Sequence, residues 1–125
     1  MVFKIKTSKK TMECFEEIGA SENLQPFILA KMAISISLKS DKDLDEVDFK
    51  TDNLGLELNR QTITGEYDTL FKCLVEMREK KHIDDDEYFQ KYVKAHLDRG
   101  ARLIYSEFKY SGDFIMQLLK VDSGI

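Results

Sequence analysis

Apolar positions along the chain change spacing from segment to segment, and the spacing predicts the elements. Val2 to Lys6 alternates, with Phe3 and Ile5 on one side and Val2, Lys4 and Lys6 on the other, which suits a short strand. Thr7 and Ser8 then offer caps for a helix from Lys9, whose Met12, Phe15 and Ile18 recur at helical spacing. Gly19 is placed to end that helix in the left-handed region. Pro26 opens a second helix, where its missing N–H costs nothing. Phe27, Ile28, Ala30, Met32, Ile34, Ile36 and Leu38 cover more than half of its circumference, which predicts a buried central element. Its Ser35 and Ser37 can bond back to the preceding turn.

The stretch from Ser40 to Asn53 has little helical period and many acids, and reads as a solvated loop. Leu54 to Thr64 alternates in part, so it is extended or carries a helical turn. A third helix follows Thr64, with Glu66 and Asp68 in its first turn and Leu70, Phe71, Leu74, Val75 and Met77 as its apolar face. Arg78, Lys80, Lys81 and His82 close it. Asp84 with Glu87 has capping-box spacing for a fourth helix carrying Phe89, Tyr92, Val93, His96 and Leu97. Gly100 either ends this helix or is a close-packing point within a longer one, since Leu103, Ile104, Tyr105 and Phe108 continue the period. After Ser111-Gly112-Asp113, the segment from Phe114 to Val121 is apolar almost all round, which predicts contacts on several sides and hence a homo-oligomer or an obligate partner. The fold expected is mainly α: a compact helical single domain over residues 1–125 with about five helices and a short N-terminal strand.

Composition narrows the class. With 125 residues, one proline and six glycines, one domain is the default and little linker is available. No run approaches the ~20 apolar residues of a membrane span. Residues 1–6 lack the apolar core of a secretory signal, so the expected location is the cytoplasm. Cys14 and Cys73 both fall in apolar helical patterns and read as buried, reduced thiols. Metal spacings are missing: there is no Cys-x-x-Cys, and His82 and His96 lie far apart. Asp43, Asp45 and Asp48 imitate part of a calcium loop without its central glycine or final glutamate. Phosphate loops and nucleophile elbows are likewise absent, so neither a cofactor nor a catalytic residue is expected.

Charge adds one positive feature. The net charge is −4, yet the first ten residues carry Lys4, Lys6, Lys9 and Lys10 and no acid. Distribution outweighs the sum when the partner is a polyanion. The candidate phosphate contacts are these four lysines, Arg60, and a second patch of Arg78, Lys80 and Lys81. Arg60 also has a local alternative, pairing with a nearby acid.

Three stretches stand in order: Pro26-Phe27-Ile28-Leu29-Ala30-Lys31-Met32-Ala33-Ile34-Ser35-x-Ser37-Leu38, then Gly55-Leu56-Glu57-Leu58-Asn59-Arg60-Gln61-Thr62-Ile63-Thr64-Gly65-Glu66-Tyr67-Asp68-x-Leu70-Phe71, then His96-Leu97-x-Arg99-Gly100. In this combination the chain resembles the DndE family, the small subunits of bacterial DNA sulfur-modification (phosphorothioation) systems. The resemblance runs from about Thr7 to Val121. It implies a non-catalytic accessory role in a machine that replaces a non-bridging phosphate oxygen of DNA by sulfur. It also implies work alongside a cysteine desulfurase, an iron–sulfur protein and an ATPase. The expected activity of such a subunit is binding of the DNA backbone, of the other modification subunits, or of both. Two other readings stay open: a ribbon-helix-helix DNA-binding regulator, from the order strand, helix, helix, and a pure protein scaffold that never touches DNA.

Overall fold

The computed structural model describes residues 2–110. Strand β1 (Lys4–Lys6) leads into α1 (Lys9–Glu22) and α2 (Pro26–Lys39). A single turn, α3 (Glu46–Phe49), and strand β2 (Glu57–Asn59) follow, then a turn of helix, α4 (Arg60–Ile63). A 3₁₀ turn (Gly65–Tyr67) runs into α5 (Asp68–Glu79). The last described helix is assembled from α6 (Asp85–Glu87), a π-helical stretch (Tyr88–Val93) and α7 (Lys94–Tyr110). The fold is mainly α with a short N-terminal strand, as the sequence predicts; that strand finds a partner in β2 to make a two-stranded ribbon.

The central layer is α2 against α7, the most extensive helix pair. Leu29, Ala30, Ala33 and Ile34 of α2 and Leu97, Ala101 and Ile104 of α7 are buried there. The helices approach closely because α7 has no side chain at Gly100: a Cβ on it would stand 1.8 Å from the carbonyl oxygen of Ala33. Gly100 is therefore the close-packing point of a longer helix and not its end. In the π-helical stretch Tyr88, Phe89, Tyr92 and Val93 are all buried, so its single face carries most of the aromatic part of the core.

β1 pairs antiparallel with β2, Ile5 opposite Leu58, and the ladder is extended by Thr7 N–H to Leu56 O at 2.8 Å. The strand thus pairs within its own chain, whereas the ribbon-helix-helix reading needs it to pair across a dimer.

Several expectations are corrected. Gly19 does not end α1; the helix runs three residues further and Asn23 takes the left-handed conformation, φ 56°. The acidic segment 40–53 is mostly exposed, as a solvated loop predicts, but it is tied down: Asp45 and Asp48 form a reciprocal capping box on α3, and Asp48 is buried against Arg102. Asp84 makes no side-chain cap. Leu70, Leu74 and Met77 of α5 are exposed, because α5 turns Val75 inward and leaves that stripe outside. Cys73 is exposed with them, while Cys14 is buried as expected. Ser37 spends its hydroxyl on α7, beside His96 Nδ1 at 2.8 Å and accepting from Arg99 Nε at 2.8 Å. The apolar segment 114–121, from which an oligomer is expected, lies outside the described residues.

Candidate functional site

The first turn of α1 carries the basic feature, and two carboxylates, Asp98 buried and Asp52 exposed, fix its geometry. Ser8 caps the helix by accepting from Thr11 N–H, and Asp98 of α7 accepts from Ser8 N–H at 3.1 Å and Thr11 Oγ1 at 2.7 Å. The other oxygen of Asp98 accepts from Thr51 Oγ1 at 2.5 Å and Lys94 Nζ at 2.8 Å. Lys9 N–H donates to Asp52 at 2.9 Å, and that aspartate also caps Leu54 N–H, which holds its carboxyl below the usual range. Carboxylates at a helix N-terminus satisfy its orphan donors and favour its dipole. Here they clamp α1 to α7, so that Lys9 and Lys10 stand exposed at a fixed place on the surface. Lys4 and Lys6 occupy the outward positions of β1, two residues upstream of α1. Among the described residues Lys4 makes one ion pair, exposed, 3.8 Å from Glu57. Such pairs contribute little and give way readily to another anion.

Lys10 also reaches a groove between α1 and α7, of about 440 Å³, lined by Lys10, Cys14, Arg102, Tyr105, Ser106, Lys109 and Tyr110. The ammonium groups of Lys10 and Lys109 lie 5.3 and 5.7 Å from the centre of the Tyr105 ring. Glu17 bonds the Tyr105 hydroxyl and sits 3.4 Å from Lys109; the hydroxyl holds the carboxyl down, and the carboxyl raises the tyrosine and the lysine. Cys14 forms part of the wall, and burial pushes its thiol above the ordinary value, with Lys10 pulling weakly the other way. A thiol in that state is a poor nucleophile. The groove is thus a cationic, tyrosine-lined surface suited to an anionic backbone. Arg102 and Lys109 escaped the sequence reading. Their signal is the seven-residue spacing that sets them on one face of α7, with Tyr105 between.

The other predicted cations lie elsewhere. Arg60 is interior: it grips Asp68 at 2.6 Å and Asp85 at 2.7 Å and donates to Val2 O at 3.1 Å, packed over the Tyr88 and Phe89 rings. Its guanidinium is fully used in joining the segment before β1 to α4, α5 and α6, so the local-acid alternative holds for it. Burial pushes the Asp68 carboxyl up, but bonds from Arg60, Thr64 and Tyr88 outweigh it and hold it low. Arg78 is also a tie, donating to the carbonyls of Leu38 and Lys42. Lys80 caps α5 in the left-handed conformation and Lys81 stands 5.8 Å from the Tyr92 ring, both exposed. The structure therefore brings Lys10 to one groove with Arg102 and Lys109, and sets Lys9 on the same first turn of α1 and Lys4 and Lys6 on the outward positions of β1. It splits the Arg78–Lys81 patch into one structural arginine and two surface lysines.

Among the described residues no group of three His, Cys, Asp or Glu side chains could hold a metal, and no helix is long and apolar enough to cross a membrane. His96 is buried, its Nδ1 beside Ser37, and burial, then the charges of Arg99 and Arg78, push it down to about 3.

Comparison with known proteins places the chain. The family model described as DNA sulphur modification protein DndE matches residues 4–111. The fold is similar to a crystal structure of DndE from Escherichia coli B7A involved in DNA phosphorothioation modification. That likeness has a TM-score of 0.65 at 18% identity and covers 81% of this chain and 96% of the other. A DndE mutant involved in DNA phosphorothioation gives the same TM-score, 0.65, and identity, 18%, over 82% of this chain and 97% of that one. No curated protein matches the chain in sequence.

Proposed function

The chain belongs to the DndE family of DNA sulphur modification proteins, and on that premise we propose that it is a non-catalytic subunit of the DNA phosphorothioation machinery that grips the DNA backbone. The observation that carries the DNA contact is the clamped first turn of α1, which sets Lys9 and Lys10 between the lysines of β1 and the groove of Arg102 and Lys109. Lysine and arginine hold phosphates through charge and counterion release, without reading sequence. Lys4, Lys6, Lys9 and Lys10 are the principal contacts, and the separate surface pair Lys80–Lys81 is a secondary one. The negative total charge confines attraction to that face.

The non-catalytic assignment is supported by how the reactive groups are spent. Asp98, Asp68, His96 and Arg60 each serve internal bonds, and Cys14 is held as a thiol. The chemistry then belongs to partner subunits, a cysteine desulfurase, an iron–sulfur protein and an ATPase, to which this chain presents the DNA. The test removes the chain from cells that carry the modification system and measures sulfur-containing linkages in their digested DNA. Loss of sulfur on removal, restored by the parent chain and not by one with Lys4, Lys6, Lys9 and Lys10 replaced by alanine, is expected. Unchanged sulfur on removal overturns the pathway assignment; full restoration by the alanine variant overturns the DNA-contact assignment.

A further inference from the structure

Arg99 lies in the core with no carboxylate bonded to it among the described residues. It is 7% exposed, and its guanidinium donates to neutral oxygens: Nε to Ser37 Oγ at 2.8 Å, Nη1 to Lys42 O at 2.7 Å and Nη2 to Ser37 O at 2.6 Å. Arg78 donates to the same Lys42 O and to Leu38 O. Two guanidinium charges thus meet at one carbonyl just beyond the C-terminal end of α2. A helix C-terminus offers only about half a negative charge against them. The neighbouring acids are engaged elsewhere: Asp45 and Asp48 cap α3, Asp48 also holds Arg102, and the carboxyl of Asp43, 3.9 Å from Arg78, is 90% exposed. Two buried atoms of the same cluster have no hydrogen-bond partner among the described residues, Arg78 Nε and His96 Nε2. We propose that a halide ion, chloride in ordinary buffers, binds in the core at the end of α2, accepting from Arg78 Nε and His96 Nε2 beside the Arg99 guanidinium.

The hydrogen count selects an anion. Ser37 Oγ accepts from Arg99 Nε, which leaves its own hydrogen for His96 Nδ1 at 2.8 Å, and the ring's hydrogen then sits on Nε2. Both unpartnered atoms are therefore donors. Buried donors without an acceptor are rare in folded proteins, and each calls for a bound group. A water can accept from both, but it brings two hydrogens of its own. The oxygens nearby are taken: Lys42 O accepts from both arginines, and Ser37 O from Arg99 and from Ser40 N–H. An anion accepts without donating, and it offsets the guanidinium charges, which a water cannot. A halide accepts from any direction, so it suits donors that come from different helices, α5 and α7. Burial, then the charges of Arg99 and Arg78, keep the His96 ring neutral, so the positive charge at the site is that of the arginines. The inference does not rest on the DNA reading.

The test compares the full chain in potassium chloride and in potassium gluconate at constant ionic strength. Urea midpoints should rise with chloride. The folded-to-unfolded ratio should grow about tenfold for each tenfold of chloride above the dissociation constant, as one site requires. Bromide should act alike, and a crystal grown in bromide should give an anomalous peak between Arg78 Nε and His96 Nε2. Arg78→Lys keeps the charge and removes the Nε donor, and His96→Asn removes Nε2. Each should abolish the chloride dependence, whereas Lys80→Gln, at an exposed cation that follows the same helix, should leave it intact. Stability indifferent to chloride overturns the proposal, as does a chloride effect that both variants retain. Density at the site without an anomalous bromide signal identifies a water and overturns it as well. The bromide experiment uses the parent protein alone, so it decides the question even where a variant does not fold.

Discussion

Replacing Gly100 by alanine should destabilise the fold by about 2–3 kcal/mol, although alanine is the better helix former. The added Cβ would stand 1.8 Å from Ala33 O, 2.4 Å from its carbonyl carbon and 2.7 Å from its Cα, where real contacts begin at 3.0 Å. Relief of the first contact alone needs 3.0 − 1.8 = 1.2 Å of movement, and the obstacle is helix backbone, not the tip of a side chain. A gap of ~0.5–1 Å already forfeits a quarter to a half of each dispersion contact. The contacts at stake are those of the central layer, among them Leu29, Ile34, Leu97 and Ile104, each almost wholly buried. Overpacking of a well-filled core costs about 1–3 kcal/mol, and a backbone obstacle places this case at or slightly above the top of that range. The helix-propensity gain of about 1 kcal/mol offsets part of it. Urea unfolding followed by circular dichroism gives the difference by linear extrapolation. Gly65→Ala is the control: Gly65 has φ +49° with nothing within 4 Å of its Cβ position, so only the left-handed conformation is penalised, by about 1 kcal/mol. A Gly100→Ala protein within about 0.5 kcal/mol of the parent, or less affected than Gly65→Ala, would refute the reasoning.

Arg60→Ala should cost about 3 kcal/mol, the low end for a broken buried ion pair because Asp85 stays partly solvated. At a temperature where it stays folded it should bind DNA like the parent; a flattened salt dependence would return Arg60 to the DNA surface. His96 gives a pH signature. Its folded value is about 3, below the unfolded value of about 6.5, so the unfolded chain takes up a proton that the folded chain refuses. Stability is therefore fully present above about pH 6.5 and falls as pH drops toward 3, by about 2 kcal/mol at pH 5 from this group alone. Urea midpoints at pH 7 and pH 5 should differ less in His96→Asn than in the parent; an equal difference removes His96 as the cause.

What the sequence showed and what it hid divide along locality. β1, α1, α2 and the long run through Gly100 are written in periodicity and in Ser8 and Pro26, signals that lie within a few residues of the structure they specify. The ordered stretches recognised around Pro26, Arg60 and Gly100 turn out to be the packing ridge of α2, the ion-pair hub and the close approach to Ala33. The misread features depend on partners far along the chain. Arg60 looked like a surface cation because Asp85 lies 25 residues away. The acidic segment looked free because Arg102, 54 residues from Asp48, is on another helix. Leu70, Leu74 and Met77 looked like core because helical period reveals an apolar face without saying which neighbour covers it. Arg102 and Lys109 were passed over for the same reason: their company with Lys10 exists only once α1 lies on α7.

The DNA-contact claim is tested most directly by titrating the purified chain with duplex, nicked and single-stranded DNA at several salt concentrations. Three or four phosphate contacts should give a log–log slope of roughly −3 to −4, alike for unrelated sequences. Replacing Lys9 and Lys10 by alanine should flatten the slope by about two without unfolding the protein, since both side chains are exposed. No binding at low salt, or a slope that the Lys9 and Lys10 variant leaves unchanged, would contradict the account.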